Sequence, residues 1–207
     1  MTMTTTTAAP HALLVVAHPR ADSLTARMAA RAHTRLLAAG HTVDVLDLHA
    51  EGFDPRMTVE DEPDWADRDK TYSPEARAHM ARIEAADTIV VVFPVWWFGL
   101  PALLQGWVDR IWNYGFAYGR SHARLAGKRM LWLGLAGYSE DHFTSGGWDD
   151  LLDRRLRVGI SNFSGIQDAT VHLLYDTVAT GAHDGPLLTA TEEAIAALTK
   201  PQLPTPT

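Results

Sequence analysis

Three short stretches of the sequence carry groups that can hold an anion and a flat, redox-active ring. The first is His18-Pro19-Arg20-Ala21-Asp22-Ser23-Leu24-Thr25. It leaves an apolar run and turns directly into a helical pattern. Hydroxyls and free backbone N–H groups at a helix start form an anion site, and His18 and Arg20 can add positive charge. Capping of the helix by Asp22 or Ser23 accounts for the same residue types, and both readings can hold together. There is no G-x-G-x-x-G at this turn and no G-x-x-x-x-G-K-[ST] anywhere. That argues against a nucleotide-binding turn of either kind.

The second stretch is Phe93-Pro94-Val95-Trp96-Trp97-Phe98-Gly99-Leu100-Pro101. Large aromatics in a loop between prolines are costly in water unless something covers them. A planar ring system stacked on or beside the loop would do so. An interface or core loop is the competing reading. Further on, Tyr114-Gly115-Phe116-Ala117-Tyr118-Gly119 alternates glycines with aromatics and suits either a pocket wall or plain packing. The third stretch is Leu135-Ala136-Gly137-Tyr138-Ser139-Glu140-Asp141-His142-Phe143. Ala136 and Gly137 at a strand end let backbone approach a ligand closely. A hydrolase elbow around Ser139 fails, because Asp141 stands where the second glycine is needed.

The chain has no cysteine, so thiolate nucleophiles, iron–sulfur clusters and cysteine zinc sites are excluded and any redox chemistry needs a bound cofactor. Its ten histidines are scattered without H-E-x-x-H, so no metal site is expected. The net charge of −7 over 207 residues argues against a nucleic-acid or anionic-membrane binder, while leaving room for a local positive pocket. No apolar run approaches the ~20 residues of a membrane span. Absence of cysteine fits a cytoplasmic location.

These loops need a scaffold. Apolar runs at 12–17, 42–48, 88–93, 129–136 and 166–174 read as strands. Helical spacing lies between them. One helix runs over 23–39 and stops at Gly40, one starts at Ser73-Pro74, one opens at Pro101, and one covers 151–158. Thr189-x-x-Glu192 reads as the capping box of the last. Alternation of this kind predicts an α/β protein with a parallel sheet and helices on both faces. Ligands then bind at the carboxyl ends of the strands, where all three stretches fall. A domain over 11–199 is expected, with disordered tails at 1–10 and 200–207. The long irregular stretch Ala50–Tyr72 reads as a functional cover or a solvated excursion.

The run Phe93-Pro94-x-Trp96-Trp97-Phe98-Gly99-x-Pro101-Ala102-x-x-x-Gly106-Trp107-x-Asp109-Arg110 closely resembles the NAD(P)H:quinone oxidoreductases of the flavodoxin-2 group. That group includes DT-diaphorase-like enzymes, bacterial quinone reductases and potassium-efflux ancillary reductases. His18 with Ser23-Leu24-Thr25, Gly115-Phe116-Ala117-Tyr118 and Phe163-Ser164-Gly165 extend the likeness. It implies a flavodoxin-like three-layer sandwich with strand order 2-1-3-4-5 and a homodimer with flavin sites at the interface. His18, Ser23, Leu24 and Thr25 match positions that hold the flavin's phosphate-bearing tail. Pro94, Val95, Trp96, Trp97 and Phe98 match the segment against the isoalloxazine, and Tyr118 a substrate-pocket tyrosine.

The strand-four loop departs from the group's Thr-Thr-Gly-Gly; here it reads Leu135-Ala136-Gly137-Tyr138. Phe143 stands near where some relatives carry a tyrosine implicated in hydride transfer. His142 or Tyr118 is the expected proton donor. The resemblance implies FAD, with FMN the alternative, NAD(P)H as donor and a quinone-like acceptor. It leaves two other readings, a flavoprotein subunit of a potassium-efflux transporter and a flavin-free docking protein.

Overall fold

Residues 12–17 and 89–94 are apolar without a break and buried without a break, which requires cover on both faces of the sheet. The structure, a computed structural model, describes residues 8–178 and 184–200. Of the tails expected at 1–10 and 200–207, residues 1–7 and 201–207 lie outside the described residues. Strands β1 (His11–Val16), β2 (Thr42–Asp47), β3 (Thr88–Pro94), β4 (Arg129–Leu135) and β5 (Asp168–Leu174) form one parallel sheet in the order β2-β1-β3-β4-β5. The order is the one the resemblance implies. Alternate residues of each strand supply the two halves of the core. On one face Leu13, Val15, Phe93 and Trp132 pack with residues of α2 (Pro74–Ala85) and α3 (Ala102–Ile111). On the other, Leu14, Val90, Val92 and Leu131 pack with α1 (Leu24–Ala38) and α6 (Asp184–Thr199).

Two expectations about helices need correction. The helix expected over 151–158 is a composite: α5 (Trp148–Asp153) runs into a π-helical segment, Arg154–Asn162. It is preceded by α4 (Glu140–Gly146), which the sequence reading left in the strand-four loop. Thr189 is not a cap. It lies inside α6, and its hydroxyl donates back to the Gly185 carbonyl at 3.1 Å, the usual recourse of a mid-helix threonine.

The 50–72 stretch is docked, not a solvated excursion. Asp61 is fully buried; it accepts from the Ser73 N–H at 2.9 Å, the Ser73 hydroxyl at 3.1 Å and Arg110 Nη2 at 2.7 Å. Arg110 also donates to the Asp54 carbonyl and sits 5.0 Å from the Phe53 ring centroid. Gly106 makes the approach possible, since a Cβ there would fall 2.2 Å from the Pro55 carbonyl oxygen. Among the described residues no helix is long and apolar enough to cross a membrane.

Candidate functional site

At the carboxyl end of β1 the helix start is built as expected. Ser23 is the N-cap of α1; its Oγ accepts the Ala26 N–H at 3.1 Å. Ser23 and Thr25 are buried. The Leu24 and Thr25 N–H groups sit in the first turn, where a helix has no internal acceptor for them. Burial holds the pKa of His18 below the ordinary histidine value, and its Nδ1 accepts the Arg20 N–H at 3.1 Å. Its ring centroid lies 6.1 Å from that of Trp96, the two planes inclined at 61°. Arg20 is exposed and lies 3.6 Å from Asp22, which offsets its charge.

At the end of β3 the chain makes a tight reversal. The Trp96 and Gly99 backbones exchange hydrogen bonds at 3.2 and 3.0 Å. Between them Trp97 and Phe98 hold φ of +51° and +55°, the left-handed pair that a two-residue primed turn demands. Asparagine and glycine are the usual occupants; two bulky aromatics there are strained. The Trp97 and Phe98 N–H groups lie outside the turn's own pair of hydrogen bonds. Phe98 is fixed from behind: its ring stacks on Trp148 at 4.1 Å with 18° between planes, and lies 5.7 Å from Phe143. Trp97 is 97% exposed.

The strand-four loop faces this turn. Val95 N–H bonds the Leu135 carbonyl at 2.8 Å, which ties the two strand ends together. Ala136 is anchored through Leu174 and Thr177. Gly137 and Tyr138 follow, and the Tyr138 ring stacks on His142 at 4.4 Å. Ser139 caps α4 by accepting the His142 N–H at 3.3 Å. Together Val95, Trp97, Phe98, Gly137, Tyr138 and Phe143 enclose a cleft of about 240 Å³. Phe143 is buried beneath it, packed on Phe98 and Tyr175, so it forms the floor. His142 is exposed at the rim, beside Tyr138.

The structure thus brings together the aromatic turn and the strand-four loop, and it leaves Tyr118 elsewhere. Tyr118 packs 5.4 Å from Phe163, 5.8 Å from Tyr114 and 6.1 Å from Trp65, and it is not among the residues lining the cleft. Burial pushes its hydroxyl above the usual tyrosine range, so it stays protonated. Sequence reasoning missed Trp148, the residue that braces Phe98. The signal was present: Ser139 followed by Glu140 and Asp141 is a helix start. Gly146 then leaves room for the indole, because a Cβ there would meet Trp148 Nε1 at 2.3 Å.

A family model described as flavodoxin-like fold matches residues 10–198. An NAD(P)H oxidoreductase of Escherichia coli (strain K12), itself uncharacterized, is 44% identical over 165 residues, which are 80% of this chain and 83% of that protein. Among solved structures, an NAD(P)H:quinone oxidoreductase from Methanothermobacter marburgensis superposes with a TM-score of 0.80 at 25% identity, covering 93% of this chain and 96% of that one. An FMN-dependent NADH-azoreductase from Bacillus anthracis, solved with FMN, shares the fold at 19% identity and a TM-score of 0.62, over 92% of this chain and 100% of that one.

Proposed function

The chain belongs to the flavodoxin-like fold family, in company with NAD(P)H oxidoreductases, and from that premise we propose that it is a flavin-dependent NAD(P)H:quinone-type reductase. The observation that carries the reading is the cleft between the Trp96–Gly99 turn and the Gly137–Tyr138 backbone at the ends of β3 and β4. Its walls are flat and apolar, and its backbone N–H groups suit a ring rich in heteroatoms. A phosphate cradle stands at the start of α1, beyond the neighbouring strand β1. A flavin has both parts at once.

In this reading the Leu24 and Thr25 N–H groups take the phosphate, while Val95, Trp97 and Phe98 lie along the ring. A bound flavin supplies reversible two-electron chemistry at N5. The protein's own share is orientation, an apolar wall and a proton source. His142, exposed and braced against Tyr138, is placed to hold or deliver a proton at the rim. Phe143 has no hydroxyl, so its part is to support Phe98.

The phosphate cradle meets the needs of FMN, and FMN is the flavin proposed; the FAD first implied by the resemblance requires a further phosphate and adenosine to be seated. The names of the similar proteins favour an enzyme over a transporter subunit. A homodimer fits the same reading: Trp97 lies bare, and Tyr118 sits in an aromatic cluster off the cleft, where a second copy can carry it to the partner's cleft. Light scattering at micromolar concentration should return twice the mass of the chain. The deciding experiment is the visible spectrum of the purified protein, the mass of the flavin released on denaturation, and NAD(P)H oxidation with a quinone. A colourless protein that takes up neither FMN nor FAD would end this assignment.

A further inference from the structure

A second concave site lies apart from the flavin cleft and shares no residue with it. It is a hollow of about 360 Å³ between the docked 50–72 stretch, α2 and residues 114–124. That size is within the range of about 300–1,000 Å³ typical of small-ligand sites. Five cations line it: Arg68, Lys70, Arg77, Arg120 and Arg124. Only Asp69 and Glu84 oppose them there. In a chain of net charge −7 such a concentration is not a by-product of composition.

The pairing within it is incomplete. Arg120 is held by Asp69 and the Gly115 carbonyl, and Arg124 lies 3.6 Å from Glu84. Arg77 donates to the Tyr72 carbonyl at 3.1 Å and Lys70 to the Glu62 carbonyl at 2.7 Å. Among the described residues, Arg68, Lys70 and Arg77 form no ion pair with a carboxylate. A concave surface lined with one sign of charge concentrates the field and draws counter-ions. Arginine forks also match phosphate oxygens two at a time.

The rim supplies the other half of a nucleotide site. Tyr114 lines the hollow, and its ring continues into Trp65 at 5.1 Å and Tyr118 at 5.8 Å. Trp65 is exposed. The rings are inclined to one another by 47–61°, so a base joined to phosphates on the guanidinium groups would stack on the face of a single ring.

We infer that this hollow binds the adenosine diphosphate group of a nucleotide, with the phosphates on Arg68, Arg77 and Arg124 and the base against the Trp65–Tyr114 surface. The group has two sources, the tail of the nicotinamide donor or a free nucleotide. The inference does not depend on flavin binding, and its first test reads no turnover.

Isothermal titration of the protein as purified should show ADP binding. Arg68→Gln together with Arg124→Gln should weaken it by at least about tenfold, since each lost charged hydrogen bond is worth about that factor. Glu84→Gln, which frees Arg124, should tighten it. All of these side chains are exposed, and an unchanged melting temperature will show that the variants are folded. ADP affinity that is absent, or the same in the double variant, overturns the inference. So does inorganic phosphate binding as tightly as ADP. A raised KM for NADH with an unchanged KM for reduced nicotinamide mononucleotide would assign the site to the donor's tail. Unchanged KM for both, with ADP affinity still lost in the variant, would assign it to a free nucleotide.

Discussion

Replacing Asp61 with asparagine should destabilise the protein by about 3 kcal/mol, the lower end of the cost of breaking one side of a buried ion pair. The lower end applies because Arg110 keeps two partners, Glu75 at 2.8 Å and the Asp54 carbonyl. Asp61 is fully buried and the Arg110 side chain 3% exposed, so solvent does little to screen the change. For a chain of 207 residues the melting temperature should fall by about 6–12 °C, at roughly 2–4 °C per kcal/mol. Circular dichroism at pH 7 reads this directly. Glu75→Gln is the control: that carboxylate is 43% exposed and should cost under about 1 kcal/mol.

The same pair predicts a pH dependence. Burial pushes the Asp61 carboxyl up, but hydrogen bonds from Arg110 and from both donors of Ser73 together hold it below the ordinary value. Its contribution is therefore present above the unfolded carboxylate pKa, about 3.9, and is lost as pH falls through the lower folded value. The gap between wild type and Asp61→Asn should close in acid. Flavin affinity should not change, because no residue of the clamp lines the flavin cleft. A melting-temperature loss below about 2 °C, or a gap that persists at low pH, would refute the clamp.

Trp97→Gly should raise the stability of the flavin-free protein by about 1 kcal/mol, since it relieves a left-handed tryptophan with almost no burial to lose, while weakening flavin retention on dialysis. A less stable flavin-free variant, or one that keeps its full complement of flavin, would contradict this. The proposed function has donor and acceptor share one cleft, so initial rates against nicotinamide at several quinone concentrations should give parallel lines; intersecting lines would mean that both bind at once. His79 is buried, accepts the Trp107 indole N–H at 3.1 Å, and is held below the ordinary histidine pKa by burial. The unfolded chain then takes up a proton that the folded one refuses, so stability should fall as pH drops below about 6.5. The difference between wild type and His79→Gln should narrow from pH 7.5 to 5.5.

The strands were legible because unbroken apolar runs need two covered faces. Their order was legible only through the family resemblance, since alternation alone fixes parallel pairing and not neighbours. Helix α4 carried a start signal at Ser139-Glu140-Asp141, but its seven residues, of which only Phe143 is buried, give no periodic stripe to support it. Thr189 misled because a threonine three residues before a glutamate looks the same in a helix interior as at its start. In the 50–72 stretch nothing distinguishes Asp61 from Asp64 or Asp67 in sequence; its role follows from meeting Arg110 and Ser73 in space. The lowered pKa of His18 likewise depends on burial, which residue type does not report. The family resemblance implied a substrate-pocket role for Tyr118; within one chain it packs near Phe163 and Trp65, off the cleft.

The turn at the end of β3 makes the strongest case that this chain is built around something it does not itself contain. A glycine at position 97 or 98 would serve the reversal without strain. Instead two aromatics sit at positive φ, at a cost of about 1–2 kcal/mol each. Phe98 recovers part of that through its stack on Trp148 and its contact with Phe143. Trp97 recovers almost nothing, with 97% of its surface bare. Strain held at a position that the fold does not need points to a ligand or partner that uses it. The geometry separates the two. Phe98, Val95 and Tyr138 bound a narrow slot, which fits a ring and is too small for a protein surface. The bare face of Trp97, together with Tyr118 and exposed Phe163, is suited to a second copy. In the proposed reading flavin and a second copy both draw on this strained turn, and a substitution at Trp97 should disturb both.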